Sequence, residues 1–297
     1  MEVYRFGFDA MGGSGEVVIA LENKKRAHSI ARQALAEVGR IEYKYSRYRP
    51  ESIVSRINAA AGSDFVEYDA ETAALIHYAD TLYDKSDGLF DITSGVLRHS
   101  WDFSKGELPE PAKLSEQLSL VGWQRVERQE HALRLPVAGM EIDFGGFGKE
   151  YAADRAAEVL LNKGVTYGYV NLSGDIRVVG PRPDGEPWVI GIQDPRHKER
   201  TIASIPLYTG ALTTSGDYER FFEVEGKRYC HIIHPGRGYP VTFWRSVTVV
   251  APSAITAGSC TTIAMLKEAD GLGFLEQSGF GYLAVDQLGI IYHKNNQ

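Results

Sequence analysis

The chain has 297 residues, of which 43% are apolar, and a formal net charge of −7. An acidic chain of this size can bury a sizeable core, but its charge argues against a nucleic acid or an anionic membrane surface as its main partner. No run approaches the roughly 18 apolar residues that a transmembrane helix needs, so no membrane segment is predicted.

The chain's start and its two cysteines bear on cellular location. The first residues, MEVYRFGFDAMGG, lack the basic and apolar regions of a signal peptide, and no cysteine lies near them. We therefore expect a cytoplasmic protein, or a periplasmic or membrane-anchored one if a leader has been removed. Cys230 and Cys260 are too few and too distant for a disulfide framework, and we interpret both as buried thiols.

The first half of the chain mixes strand and helix patterns. Residues 3–21 are predicted to form two strands around a glycine-rich turn, and apolar spacing predicts a helix over residues 27–45. Asp69 is a candidate N-cap for a helix that ends near residue 85. Residues 96–135 are polar and contain Pro109 and Pro111. We expect this region to be an insertion or a flexible flap within a single domain that spans residues 1–297.

The most informative stretch for predicting a functional site is residues 142–161, IDFGGFGKEYAADRAAEVLL. It reads as a strand end that carries Asp143, then a glycine turn, then a helix that Gly164 closes. Free N–H groups at the start of such a helix, with Lys149 beside them, suit an anionic ligand. An ordinary strand-to-helix connection explains the same pattern equally well, because a glycine cluster is weak support by itself.

The second half is predicted to be rich in strands. Residues 188–192, 201–207 and 218–224 alternate like strands of a sheet, and EGK at 225–227 forms a hairpin turn. A buried strand over 246–250 precedes a helix that begins near Ser253, and two final strands cover 281–285 and 290–293. Strands and helices alternate without a regular βαβ period, which indicates an α+β fold.

Several of these segments, in this order, resemble the ApbE-type FAD:protein FMN transferases over most of the chain, from about Met11 to about Leu266. The segments are MGG, SRYRPESIVSRIN, GLFDIT, IDFGGFGKEYAADRAAEVL, YVNLSGDIRVVG, the PW and DP pairs, TTSGDYERFF, HIIHPGRGYP and CTTIAML. The resemblance implies a bilobed α+β fold of two T-fold-like halves with a ligand cleft between them. FAD would bind in the cleft, and Mg²⁺ would assist transfer of FMN to a Thr or Ser hydroxyl of a partner flavoprotein, with release of AMP.

The resemblance also assigns residues. It implies Lys149 and His231 as catalytic residues, and a flavin-nucleotide site formed by Met11, Tyr48, Leu89, Phe90, Asp91, Asp143, Lys149, Ser215, Gly216 and Ile233. A structural alternative stands beside several of them. Met11 could fill a gap in a turn, Asp91 could be a buried acid paired within the protein, and His231 could be structural.

Four departures from the family pattern concern the site. Relatives carry Lys-Gly or Glu-Gly where this chain has Lys149-Glu150, so Glu150 is acceptable beside an anion only if its side chain turns outward. Relatives have Gly-Gly-Asp where this chain has Ser173-Gly174-Asp175. His234 stands before Pro235, where most relatives have Asp.

The most serious departure is at the predicted metal site. The resemblance implies that an Asp, the Thr262 hydroxyl and the Gly146 carbonyl ligate Mg²⁺, but the Asp is replaced by Gly258. Either Asp175, Asp217 or Glu150 supplies a carboxylate from another direction, or the chain binds flavin with lost or weak transfer. On the sequence alone we expect weak Mg²⁺ binding, which Gly258→Asp should tighten.

The activity therefore has alternatives. The chain is predicted to be an FMN transferase, with an FAD pyrophosphatase or a flavin binder without turnover as the next possibilities. An assembly factor that binds a redox partner without flavin is a distinct class.

Overall fold

A computed structural model describes residues 1–295. The seven α-helices are α1 (Lys24–Tyr45), α2 (Ile53–Ala59), α3 (Ala70–Lys85), α4 (Pro111–Ser119), α5 (Gly148–Asn162), α6 (Ala254–Lys267) and α7 (Gly271–Ser278). Short 3₁₀ helices cover Ile92–His99, Trp123–Arg125 and Glu268–Asp270. Among these residues no helix has the length and apolarity to cross a membrane.

The strands fall into one large sheet and three small ones. The large sheet contains β1 (Glu2–Ala10), β2 (Gly13–Leu21), β6 (Gly168–Leu172), β7 (Asp175–Gly180), β10 (Gly210–Gly216), β13 (Trp244–Ala251), β14 (Gly281–Asp286) and β15 (Ile291–Lys294). The small sheets contain β3 (Val66–Glu67), β4 (Glu127–Gln129) and β5 (Ala132–Arg134), then β8 (Trp188–Gln193) with β9 (Thr201–Leu207), and β11 (Phe221–Val224) with β12 (Lys227–Cys230).

The large sheet is antiparallel and has the strand order β1-β2-β6-β7-β10-β13-β14-β15. Each half of the order consists of a strand pair, two helices and a second strand pair. The first half uses α1 and α5, and the second half uses α6 and α7. The two halves join edge to edge where β7 pairs with β10. This topology agrees with the predicted T-fold-like halves, and the α+β class is confirmed.

The two faces of the sheet are covered by different layers. Val17 and Ile19 of β2 are fully buried in the cluster that contains the apolar face of α1. The neighbouring Val18 points to the opposite face, where Trp188 of the β8–β9 hairpin covers it. Alternate residues of β2 are thus buried on both sides, each worth on the order of 1.5–3 kcal/mol.

Helices α5 and α6 are held together by one acidic side chain. Asp154 of α5 accepts hydrogen bonds from the N–H groups of Ala254 (2.8 Å) and Ile255 (2.9 Å), the first two residues of α6. Arg177 of β7 pairs with the same carboxylate at 3.2 Å. Unsatisfied N–H groups at a helix start favour such an anion. Asp154 therefore fixes the start of α6 against α5 and the sheet.

Most predicted elements form close to the expected positions. Asp69 accepts from Thr72 N–H as the N-cap of α3, and Gly164 has φ +75 beyond the end of α5. Residues 96–135 contain α4 and the β4–β5 hairpin, and their role as an insertion or flap stays a prediction. Helix α2 begins after its N-cap Ser52, whose side-chain oxygen accepts a hydrogen bond from Ser55 N–H.

Two strand predictions are wrong. Ile142 and Asp143 form no strand, because the side-chain amide of Asn58 bonds both the N–H (2.7 Å) and the carbonyl (3.0 Å) of Ile142. The expected strand over 218–224 begins at Phe221, while the preceding TTSG segment belongs to β10, a central strand that polar residues concealed.

Asp154→Asn should destabilise the protein by about 1–3 kcal/mol, since it weakens the cap of α6 and removes the charge that faces Arg177. Urea unfolding measures the loss. Glu158→Gln, on the same helix in an exposed pair with Arg155, is the matched control and should change stability by less than about 1 kcal/mol. Equal effects in both variants would contradict the role given to Asp154.

Candidate active site

The glycine turn before α5 is shaped by close packing. A Cβ atom on Gly146 would lie 2.7 Å from the Phe90 ring, so glycine is required for this contact. The first regular helical bond of α5 runs from Tyr151 N–H to the Phe147 carbonyl, at 2.9 Å. The Gly146 carbonyl therefore precedes the helical hydrogen-bond ladder.

Lys149 lies at the start of α5 and forms an ion pair with Asp175. Its Nζ is 2.8 Å from Oδ2 of Asp175, which is only 3% exposed at the start of β7. Burial opposes the charge of Lys149, but the carboxylates of Asp175 and Glu150 outweigh it and raise the pKa of the amine. Lys149 is thus a fixed cation at a helix N-terminus, as the sequence predicted.

Glu150 turns inward, so the outward direction that would have removed its conflict with an anionic ligand is not the one it takes. It is 8% exposed, and its side chain lies against Gly258 of α6. A Cβ atom on Gly258 would lie 2.5 Å from Glu150 Oε1 and 2.8 Å from its Cδ. Burial, and then the negative charge of Asp175, raise the pKa of Glu150. Its Oε2 is buried and has no hydrogen-bond partner among residues 1–295.

Helix α6 presents hydroxyl groups next to this carboxylate. Thr261 donates to the Gly258 carbonyl at 2.9 Å and shares a hydrogen bond of 2.8 Å with Ser215 of β10. Thr262 follows Gly258 by one helical turn, so the two residues share a face of α6. Gly216, next to Ser215, leaves room for the ring of Tyr218.

Tyr48 and Asp143, both predicted to contact the nucleotide, are linked by Arg47. Arg47 pairs with Asp143 and donates to the Tyr48 hydroxyl at 2.7 Å. Tyr48 is 76% exposed, and its ring stacks on the Arg47 guanidinium, which leaves a ring face open to a ligand. The sequence reasoning passed over Arg47, although its position beside a predicted stacking tyrosine was the available signal.

The GLFDIT loop is mostly turned toward the protein interior. Phe90 is buried and stacks on Phe147 at 6.2 Å between ring centroids, and Leu89 packs at the edge of the same core. Asp91 accepts from Thr93 N–H (2.7 Å), Thr93 Oγ1 (2.6 Å) and Trp123 N–H (3.0 Å). Those bonds favour the structural alternative for the Asp91 side chain, and a nucleotide contact here stays a prediction.

Arg220 contacts both the turn that carries Met11 and the backbone of His231. Met11 has φ +53 in the β1–β2 turn, and its N–H donates to Glu42 at 2.8 Å. The Arg220 side chain lies beside Gly12 of this turn, and its carbonyl accepts from His231 N–H at 3.0 Å. The His231 side chain is exposed to solvent, although protein atoms surround much of the ring. Partial desolvation and the charges of Arg220 and Lys149 lower its pKa, so the imidazole is neutral at pH 7.

His234, where the resemblance implies an Asp, makes a turn contact with its ring nitrogen. Its Nδ1 accepts from Gly236 N–H at 3.1 Å, as an Asp carboxylate two residues earlier would. The Gly238 N–H bonds the His234 carbonyl at 2.8 Å, which closes the loop. Ile233, the predicted flavin contact before it, bridges to Pro240 and is only partly buried.

Asp217 cannot serve as a replacement metal carboxylate. Arg196 binds it through two hydrogen bonds of 2.7 Å, and Gln287 adds a third of 2.9 Å. Among residues 1–295 no group of three or more His, Cys, Asp and Glu side chains is placed to hold a metal. A metal at this site would depend on hydroxyl, carbonyl and ligand oxygens together with one carboxylate, which is the donor set of Mg²⁺.

The fold is a sheet built of two similar halves. At its site, a glycine turn that carries Lys149 lies beside buried carboxylates and hydroxyls, and we compared this arrangement with known proteins. The sequence profile of the ApbE family matches residues 11–284. The chain therefore belongs to the ApbE family, as its motifs predicted.

Individual relatives agree. The FAD:protein FMN transferase of Vibrio cholerae serotype O1 is 30% identical over 248 residues, which cover 81% of this chain and 74% of the relative. The FAD:protein FMN transferase of Haemophilus influenzae is 30% identical over 259 residues, 82% of this chain and 75% of the relative.

Solved structures show the same fold. The ApbE protein of Thermotoga maritima has a TM-score of 0.91 at 34% identity and covers 99% of this chain and 97% of its own. The apo flavinyl transferase ApbE of Pseudomonas stutzeri has a TM-score of 0.87 at 27% identity, with coverages of 99% and 95%.

His234→Asn should keep the loop, because the amide oxygen can accept the Gly236 bond, whereas His234→Leu should cost about 1 kcal/mol of stability. Burial and Arg237 lower the pKa of His234 from its ordinary 6.5. The unfolded chain thus binds this proton more readily, and stability should fall as the pH drops below 6.5. The melting temperature of His234→Asn should fall less between pH 7 and pH 5 than that of the parent. An identical fall would contradict the assignment.

Proposed function

We propose that this protein transfers FMN from FAD to a Thr or Ser hydroxyl of a partner flavoprotein and releases AMP. The observation that carries the proposal is the Lys149–Asp175 ion pair at the start of α5, beside buried Glu150 and the hydroxyl-bearing face of α6, in a chain of the ApbE family. Relatives with that activity cover most of this chain.

The groups at the site suit cleavage of a pyrophosphate. The positive end of α5 and the Lys149 ammonium attract its oxygens and stabilise the charge that develops on them. The acceptor hydroxyl oxygen forms a bond to the phosphorus of the FMN half, and the bond between that phosphorus and the AMP oxygen breaks. AMP leaves with the electron pair of that bond.

His231 is the proposed proton acceptor. Its neutral imidazole has a free lone pair at pH 7, and it lies close enough to Lys149 to feel that charge. The proton of the acceptor hydroxyl would pass to this ring. Tyr48, with an open ring face, and the Arg47–Asp143 pair form the proposed binding surface for the rest of FAD.

Mg²⁺ fits the donors at the site. The proposed donors are hard oxygens: the Glu150 carboxylate, the Thr262 hydroxyl and the Gly146 carbonyl. Two observations support them, since Glu150 lies against Gly258 of α6 and its Oε2 has no partner among the described residues. When bound, the metal would neutralise phosphate charge. Residues of this chain hold the phosphates, orient the hydroxyl and take up its proton.

The direct test incubates the protein with FAD, Mg²⁺ and a flavoprotein that carries a Thr or Ser target. AMP release together with a fluorescent, covalently flavinylated acceptor on a denaturing gel is the expected result. AMP and free FMN without acceptor labelling would show a pyrophosphatase instead. Absence of AMP with every divalent metal tried would refute both activities.

Lys149→Ala should weaken FAD binding by about 1.5–3 kcal/mol, the range for a hydrogen bond to a charged group. Titration calorimetry measures the affinity, and the ligand-free melting temperature checks that loss of the Asp175 partner has not unfolded the chain. Lys163→Ala, at the exposed end of the same helix, is the matched control. Cys230→Ser, within the buried core, should also bind FAD normally. Unchanged FAD affinity in Lys149→Ala would exclude its phosphate contact.

His231→Ala should lower the rate of AMP release more than it lowers FAD affinity, because the ring is proposed to take up a proton. Single-turnover kinetics separate the two effects. A variant that releases AMP at the parental rate would remove His231 from the mechanism.

A further inference from the structure

The contact between Glu150 and Gly258 joins two departures from the family pattern. The family resemblance implies that relatives often have glycine at position 150 and a metal-binding Asp at position 258. This chain has the larger, acidic residue at 150 and glycine at 258. The Glu150 carboxyl group fills the space in which a side chain on residue 258 would begin, at 2.5–2.8 Å from its Cβ position.

We propose that the Glu150 carboxylate takes the place of the missing Asp as the magnesium ligand, an inference that rests on the proposed function. The carboxylate comes from α5 rather than α6 but reaches the same point between the helices. Its buried Oε2 has no protein partner among residues 1–295, although a buried carboxylate oxygen without one is costly. A metal ion would supply the absent partner.

The other nearby acids already have partners within the protein. Asp175 is paired with Lys149, Asp154 caps α6 and pairs with Arg177, and Asp217 is held by Arg196 and Gln287. Asp175 Oδ2 also has no hydrogen bond among the described residues, but it lies 2.8 Å from the Lys149 ammonium. Glu150 is the carboxylate that has an oxygen without hydrogen bond or ion pair and a side chain that faces Gly258.

The remaining donors lie on the two helices that meet at this contact. Thr262 is one turn beyond Gly258 on α6, and the Gly146 carbonyl is one turn before Glu150, outside the helical ladder of α5. One carboxylate, one hydroxyl and one carbonyl leave further positions for phosphate and water oxygens, which Mg²⁺ commonly keeps.

This arrangement reverses the expectation that Gly258→Asp would tighten Mg²⁺. With Glu150 in place, a new Cβ would meet Oε1, Cγ and Cδ of that side chain at contact distances no real Cβ shows. The two carboxylates would also occupy one buried space, where their like charges repel each other. Gly258→Asp alone should therefore lower the melting temperature without improving metal binding.

Mn²⁺, followed by electron paramagnetic resonance, is the probe, first alone and then with ADP, which offers a pyrophosphate without a flavin. Glu150→Gln keeps the shape and removes the charge, and should weaken Mn²⁺ binding by at least about tenfold. Glu158→Gln, on the exposed side of α5, is the matched control and should bind like the parent. The double variant Glu150→Gly/Gly258→Asp restores the family arrangement and should bind within about tenfold of the parent.

Parental Mn²⁺ affinity in Glu150→Gln would overturn the inference, and so would a Gly258→Asp variant that binds Mn²⁺ more than tenfold tighter at an unchanged melting temperature. AMP release from FAD, measured on the same proteins, separates the two claims. Loss of Mn²⁺ binding in Glu150→Gln supports the inference even if the parent releases no AMP. Release of AMP by the parent with normal Mn²⁺ binding in Glu150→Gln leaves the transferase standing and removes Glu150 from the metal.

Discussion

The capping of α6 by Asp154 is the interaction on which the site depends. One carboxylate satisfies the first two N–H groups of α6 and thereby sets the position of that helix against α5. Glu150 lies one turn before Asp154 on α5, and Gly258 lies one turn into α6. Once the helix start is fixed, the contact between Glu150 and Gly258 follows from helical geometry.

The same region concentrates buried charge. Glu150, Asp154 and Asp175 share it with two cations, Lys149 and Arg177. Burial raises the pKa of all three acids. Lys149 forms an ion pair with Asp175, and Arg177 forms one with Asp154. Glu150 has no ion pair of its own, and its Oε2 has no hydrogen-bond partner among the described residues. Proteins tolerate such a local conflict mainly where a ligand resolves it.

The sequence predicted correctly those features that depend on residues close together in the chain. The Asp69 cap, the EGK hairpin and the α1 stripe depend on neighbours a few residues away, and the structure contains all of them. The family and the class of the fold followed from the order of motifs. The side-chain roles at Met11, Tyr48 and Ile233 stay predictions, because they concern a ligand rather than the fold.

The failures have a common physical origin in contacts between distant segments. Ile142 looks like a strand residue, but the Asn58 amide, 84 positions away, takes its backbone hydrogen bonds. Strand β10 contains polar residues because Thr214 and Ser215 bond other side chains, Thr248 and Thr261. The direction of Glu150 stayed open for the same reason, because no local pattern shows that it packs against residue 258, more than 100 positions away.

The seam between the two halves of the sheet has a mechanical consequence. Strands β7 and β10 share only three residue pairs, but Arg177 crosses this seam by donating to the Gly210 carbonyl at 2.9 Å while it also pairs with Asp154. Separation of the two halves would break the β7–β10 pairing, this hydrogen bond and the Asp154 ion pair together. These linked contacts therefore couple the two halves and oppose a hinge motion between them.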